Sequence, residues 1–221
     1  MFPWAAIRAI VLAAGASTRM GAPKALLPDR AGRLFITRVL HTLHAAGITD
    51  VTVVTGALHD SIVRAVAADA PPGAVTRFAR NPDPSRGQLS SLLAGLDAAA
   101  APGVDAVLVT PVDVPLVAPR TVRAVVDAFV QRGAPIVRPA TGSRHGHPVL
   151  FARRLFDELR HADPSRGAKA VVHAHASEAI DLQVDDEGAL VDVDTPEEYE
   201  KTFGARQSAP GTRASGVGRR P

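Results

Sequence analysis

Between Leu12 and Lys24 the chain reads Leu-Ala-Ala-Gly-Ala-Ser-Thr-Arg-Met-Gly-Ala-Pro-Lys. Two glycines, two hydroxyls, one guanidinium and one ammonium follow the apolar run Ile7 to Leu12, with almost no bulk among them. Small residues let backbone amides approach an anion closely, and Arg19 and Lys24 would neutralise it, so the stretch reads as a phosphate-gripping loop. Neither of two common phosphate motifs fits it. A dinucleotide fingerprint needs G-x-G-x-x-G, yet position 17 is Ser, and a Walker loop needs Lys after its last glycine, where Gly21 is followed by Ala22. An ordinary strand-to-helix turn is the plainer alternative, although such a turn has no need of two cations beside such small neighbours.

Two acids complete a candidate set. Asp113, in Val-Asp-Val-Pro, follows the apolar run Ala106 to Thr110, and Asp194 precedes Thr195-Pro196-Glu-Glu, which has the form of a capped helix start. A magnesium ion takes oxygen ligands, often one or two carboxylates together with substrate phosphates, and loops at these two places could supply both. The plainer alternatives are a solvated turn acid for Asp113 and a helix-start residue for Asp194. Asp105 and Asp192 read as surface. The pairs His145/His147 and His173/His175 do not read as zinc sites: an i, i+2 spacing does not align on a helix, and no cysteine exists to complete one.

The elements that must position these residues alternate. Strand-like runs at Ile7–Leu12, Val51–Thr55, Ala74–Phe78, Ala106–Thr110, Ile136–Arg138 and Val149–Phe151 are continuously apolar, as strands covered on both faces are. Helical patterns over Leu34–Ala46, Leu58–Ala68, Gln88–Ala100, Thr121–Arg132, Arg153–His161 and Gly167–His175 separate or follow them. Weaker strands are expected at Ala179–Val184 and Leu190–Val193. This order predicts an α/β fold with a doubly wound, mostly parallel sheet between two helical layers, with ligands beyond the carboxyl ends of the strands. The glycine loop and Asp113 both fall there.

The chain has 221 residues with 46% hydrophobic content, enough for one sizeable core, and we expect one domain over residues 1–203 followed by a disordered tail, 204–221. The net charge of +3 owes most to that tail. Its four arginines, removed from 25 Lys and Arg, leave 21 against 22 acids, and with 4% aromatics no basic stacking surface remains for nucleic acid. The absence of cysteine excludes disulfide and thiol chemistry. No run approaches the ~18 apolar residues of a membrane helix, so a cytoplasmic protein without a membrane role is expected.

The loop Leu12 to Lys24 resembles the signature loop of the nucleotidyltransferases that include molybdenum cofactor cytidylyltransferase and its guanylyl-transferring relatives. The resemblance extends over most of residues 7–200. It implies that Gly15, Arg19 and Lys24 hold a nucleoside triphosphate, with Ser17 in the same loop, and that Leu12, Ala13 and Ala14 lie near base and ribose. Asn81, Gly87, Ser91-Leu92 and Gly95 are similar to the second nucleotide-contacting segment. Asp113 matches the metal-binding Asp, and Asp194 a late acidic position, with Mg²⁺ as the cofactor. Arg19, Lys24 and Asp113 would be the catalytic residues. Guanylyl-transferring relatives usually carry Gly where this chain has Ala14, which favours CTP. Arg144-His-Gly-His-Pro-Val-Leu-Phe resembles the acceptor side, giving Arg144 and His147 as acceptor-binding residues. Lys169 joins them, although Pro164-Ser-Arg-Gly-Ala-Lys stands where the cofactor cytidylyltransferases tend to show Gly-Asp-x-Gly-Ala-Arg; Arg and Lys differ at bidentate phosphate contacts.

The expected reaction is transfer of CMP from CTP to the phosphate of a molybdopterin-type cofactor, releasing pyrophosphate. The resemblance further implies delivery to a molybdoenzyme of the xanthine dehydrogenase type. Two other readings stand beside it: transfer of CMP, UMP or GMP to a sugar or other small phosphate on the same scaffold, and a non-catalytic nucleotide-binding accessory module.

Overall fold

The computed structural model describes residues 6–204; residues 1–5 and the expected tail beyond Gly204 lie outside the described part. In chain order the strands are β1 (Ala6–Ala13), β2 (Asp50–Thr55), β3 (Val75–Arg80), β4 (Val104–Pro111), β5 (Ile136–Thr141), β6 (Arg144–His145), β7 (Val149–Ala152) and β8 (Ile180–Gln183). The helices are α1 (Phe35–Ala45), α2 (His59–Ala68), α3 (Gln88–Ala99), α4 (Pro119–Arg132), α5 (Phe156–His161), α6 (Ala168–Ala174) and α7 (Pro196–Phe203). All strands join one sheet in the order β3-β2-β1-β4-β7-β5-β6, with β8 also paired to β5.

The apolar runs behave as strands buried on both faces. Along β1, Ala9 and Val11 enter one core with α1, α2 and α4, while Ile10 and Leu12 enter a second core with α3 and α5. Ile10 and Val11 are fully enclosed, and each such side chain contributes about 1.5–3 kcal/mol relative to exposure. Alternating side chains thus serve two helical layers, which is the three-layer α/β/α architecture the sequence predicts. Gly95 sets how closely α3 lies on the sheet: a β-carbon there would come within 2.5 Å of Ile10 Cγ2 and 2.8 Å of Val54 Cγ2.

Strands β1 to β4 pair in parallel, and β8 pairs in parallel with β5. Strand β7 runs against both β4 and β5. The reversal has a simple cause: Gly142 to Pro148 is too short for a crossover, which takes a dozen or more residues. Strand β4 also retains Pro111 as its last residue, paired at the edge of the ladder with Leu12.

Leu190–Val193 forms no strand. A 3-10 turn occupies Glu187–Ala189, and the following backbone crosses to the end of β4, where the Val193 amide donates to the Asp113 carbonyl at 2.8 Å. Helix α7 then starts as expected. Thr195 accepts from the Glu198 amide, and the Glu198 carboxylate returns to the Asp194 and Thr195 amides at 2.7 and 2.9 Å. Tyr199 docks this helix on the body by donating its hydroxyl hydrogen to the Pro28 carbonyl at 2.7 Å, beside Phe35 and Phe203. Among the described residues no helix is long and apolar enough to cross a membrane.

Candidate active site

The carboxyl ends of β1 and β4 lie side by side, and the loops leaving them frame a cavity of about 240 Å³. Leu12, Ala13, Ala14, Gly15, Ser17 and Lys24 line one side of it, and Gly87, Ser91 and Asp113 line others. The loop after β1 is locally constrained. Ser17 sits in the left-handed region at φ 54°, a costly conformation for a residue with a side chain. Its carbonyl accepts from the Met20 amide at 3.1 Å and its hydroxyl from the Lys24 amide at 3.0 Å. Those bonds fold the loop back on itself and fix where the Lys24 side chain departs.

Gly87, at φ 91°, turns the chain into the first turn of α3, and Gly87, Gln88 and Ser91 at that helix start line the cavity, where unpaired backbone amides suit an anion. Asn81 lies behind this wall. It is buried, and its amide donates to Ser90 Oγ and Ser91 Oγ, both at 2.9 Å, while its carbonyl oxygen accepts from the Asp83 amide at 3.0 Å. The structure thus leaves Asn81 out of the cavity lining and gives it the task of holding Ser91 there.

At the mouth of the cavity the charges converge. Lys24 Nζ donates to Asp113 Oδ2 at 2.8 Å and also to Asp194 Oδ1, and Arg19 Nη2 donates to Asp194 Oδ2 at 2.6 Å. The Val193–Asp113 backbone bond and the α7 cap bring Asp194 to this point. Lys24 keeps only 12% of its side chain exposed, against 69% for Arg19. Burial pulls the Lys24 ammonium down, yet its hydrogen bonds to Asp113 and Asp194 outweigh that and hold it above its ordinary value. Asp194 is partly desolvated, which alone would raise it, but Lys24 and Arg19 hold it below the ordinary carboxylate value. Asp192, at the rim, is pushed up by desolvation first and then by Asp113 and Asp194. Three carboxylates therefore share one ammonium, one guanidinium and the solvent.

The donor set suits a hard divalent cation. Asp113 and Asp194 offer carboxylate oxygens around a point that a cation, the Lys24 ammonium, already occupies. Among the described residues no group of three or more His, Cys, Asp or Glu side chains could hold a metal by itself, so such an ion would need further oxygens from a bound phosphate.

A second cavity, about 730 Å³, opens beside the first and shares Leu12 and Gln88 with it. Of the residues expected on the acceptor side, His147 and Lys169 line this cavity. Arg144 lines neither: its guanidinium is bonded to both carboxylate oxygens of Glu187 at 2.9 Å on the surface. Burial pulls the His147 imidazole below its ordinary range, against the opposing effect of Asp113, and its Nδ1 is enclosed with no partner among the described residues. Arg138, His145 and Arg166 line the same cavity, although none of them was expected in a site from sequence: His145 falls within the acceptor-side stretch and Arg166 within Pro164–Lys169. Arg138 lies inside an otherwise apolar strand, where a lone arginine carries no motif; Arg166 sits two residues before Ala168-Lys169, the one place a cation-rich loop could have been noticed.

The MobA-like NTP transferase domain matches residues 9–179. The fold is similar to two crystal structures of Rv0371c from Mycobacterium tuberculosis H37Rv. One is 30% identical, covering 90% of this chain and 97% of that one with a TM-score of 0.72. The other, a complex with manganese, is 29% identical over 90% and 98% with a TM-score of 0.71. Molybdopterin-guanine dinucleotide biosynthesis protein A from Archaeoglobus fulgidus shares the fold at 16% identity, covering 89% and 96% with a TM-score of 0.66. No curated protein matches the sequence.

Proposed function

The chain belongs to the MobA-like NTP transferase domain family and is a nucleotidyltransferase, and from that premise we propose that it transfers CMP from CTP to the phosphate of a molybdopterin-type cofactor. The observation that carries the reading is the adjacency of the two cavities. One is bounded by the glycine loop with Lys24 and Asp113, the other is larger, apolar and cationic, and Leu12 and Gln88 form their common border. A nucleotide in the first would present its α-phosphate near the acceptor in the second.

In the proposed reaction an acceptor phosphate oxygen forms a bond to the α-phosphorus while the bond from that phosphorus to the bridging oxygen breaks, and pyrophosphate leaves with the electron pair. A phosphate monoester is largely ionised near neutrality, its second pKa being about 6, so no general base is required. His147, neutral and enclosed, fits that requirement by not competing for the proton. Gly15, Ser17 and the start of α3 would cradle the phosphates with backbone amides, and Arg19 and Lys24 would carry the charge that grows on the leaving pyrophosphate. Both cations must then turn from Asp194 and Asp113 toward the nucleotide. Those two carboxylates would hold Mg²⁺, which polarises phosphoryl oxygens when bound; the manganese complex of the 29% identical Rv0371c structure supports a divalent ion here. The Ala14 methyl, 7% exposed and lining the smaller cavity, supports a pyrimidine over a purine.

We assign the catalytic unit to residues 1–203. The test is pyrophosphate release with each of the four nucleoside triphosphates and Mg²⁺, with and without molybdenum-loaded molybdopterin. CTP with molybdopterin should give the fastest release. Release only with GTP would overturn the use of Ala14, and release indifferent to molybdopterin would overturn the acceptor.

A further inference from the structure

The larger cavity carries a charge pattern that the proposed reaction leaves unexplained. Arg138, Arg166 and Lys169 line it, together with three histidines, and none of its lining residues is acidic. Arg166 and Lys169 sit on an exposed loop and helix start, free to follow whatever binds. Arg138 differs. It projects from β5, inside the sheet, opposite Asp181 of β8 in register.

Asp181 holds it as a fixed fork. Arg138 Nε donates to Asp181 Oδ1 at 2.6 Å and Nη2 to Oδ2 at 3.3 Å, and only 18% of the arginine side chain is exposed. His145 Nε2 meets the same Oδ2 at 2.9 Å from β6. Asp181 does not itself line the cavity, whereas Arg138 and His145 do. The Arg138 and His145 contacts hold its carboxyl below the ordinary range against partial burial, so the anion that fixes the fork persists at neutral pH. Arg138 Nη1 has no hydrogen-bond partner among the described residues. An arginine whose Nε and Nη2 are committed on one edge presents Nη1 as a pre-oriented donor on another, with no rotamer freedom left to lose on binding.

The same cavity has an apolar side formed by Leu92, Val149, Phe151 and Val172. An apolar ligand body could lie against those side chains with its anionic group toward Arg138. Resting on the reading that this cavity takes the acceptor, we infer that Arg138 is its built anion contact, positioned by Asp181. The ligand class that fits is an anion, a phosphate monoester foremost, whose body can lie against that apolar side. Lys169 then acts as a mobile point charge beside a rigid planar fork.

The experiment uses the full chain and phenyl phosphate as the probe, titrated by calorimetry in EDTA with CTP present so that no transfer runs. The wild type should bind it saturably. Arg138→Met should weaken that binding by roughly tenfold or more, since a charge-assisted hydrogen bond is lost. Asp181→Asn should weaken it by a smaller factor, because the arginine remains but loses its orientation. Both variants should fold and melt cooperatively, any loss of stability being that of a partly exposed ion pair; Arg138→Lys, which keeps the charge, should bind more weakly than the wild type and more tightly than Arg138→Met. Equal affinity in the wild type and Arg138→Met, or no saturable binding to the wild type, overturns the inference. The pyrophosphate assay fails independently: a probe defect in Arg138→Met without CTP-dependent release would retain the anion contact and discard the proposed acceptor.

Discussion

Replacing Lys24 by Met removes the ammonium and keeps the length of the side chain, which isolates its role as the cation between two acids. Lys24 is 12% exposed and its partners Asp113 and Asp194 are 22% and 23% exposed. Exposed pairs contribute about 0.2–1 kcal/mol and breaking a fully buried pair costs about 3–5 kcal/mol; this intermediate exposure places the loss near 2 kcal/mol. For a chain of this size that lowers the melting temperature by about 4–8 °C. The variant should then respond to divalent cations more strongly than the wild type, because Mn²⁺ no longer competes with a resident ammonium for Asp113 and Asp194. An ion at one hundred times its dissociation constant returns about 2.7 kcal/mol, enough to restore the loss. Thermal unfolding with and without MnCl₂, and bound Mn²⁺ counted by electron paramagnetic resonance, measure both effects without reference to turnover. Turnover itself should fall by about 10²–10³ or more, on the scale of losing one preorganised charge at a reacting phosphate. A variant with wild-type stability and a wild-type response to Mn²⁺ would refute the view that Lys24 balances these acids, and near wild-type pyrophosphate release would refute its place in the chemistry.

Further outcomes follow from single contacts. Gly95→Ala should cost about 1–3 kcal/mol by forcing Ile10 and Val54 apart from α3, read as a shift in denaturant midpoint. Arg144→Ala should leave the acceptor KM unchanged, since its guanidinium is bonded to Glu187 outside both cavities; a large rise in KM would return Arg144 to the acceptor site. His175 is raised above its ordinary value of 6.5 by Glu158 first and then Glu178, joining the end of α6 to α5. A raised folded value contributes stability that is complete below 6.5 and lost as pH rises through the folded value. The melting-temperature difference between wild type and His175→Gln should therefore be widest in mild acid and narrow as pH rises through the folded value, and a difference that grows with pH would contradict the assignment.

Much of the frame was legible because short continuous apolar runs bounded by turn residues fit strands with both faces covered. β1, β2 and β4 were found within two residues of their ends on that basis, and the Thr195-Pro196-x-Glu198 cap is visible in four letters. The reversed β7 was legible in principle from the shortness of Gly142 to Pro148, but apolar pattern carries no strand direction. Leu190–Val193 misled because a buried Val beside alternating residues resembles a strand; its backbone instead closes on Asp113, a tertiary bond with no local signature. The glycine loop, Lys24 and Asp113 meet at one cavity because spacing after a strand end is a local property. Arg138 escaped notice for the opposite reason: its meaning depends on Asp181, 43 residues away, and on a cavity assembled from six separate segments.

The bond between the Val193 amide and the Asp113 carbonyl has a consequence for the order in which the protein becomes competent. Lys24 and Asp194 are 170 residues apart in the chain, so during synthesis the loop emerges first and waits through nearly the whole sheet for its second acid. Until the segment after Ala189 has crossed to β4 and Tyr199 has docked beside Pro28, the ammonium has one carboxylate and the cation position has one wall. Nascent chains and fragments shortened before Asp194 can hold most of the sheet and still lack that wall. Assembly of the charge cluster is thus a late event: Lys24 gains its second carboxylate only once the segment leading into α7 is in place.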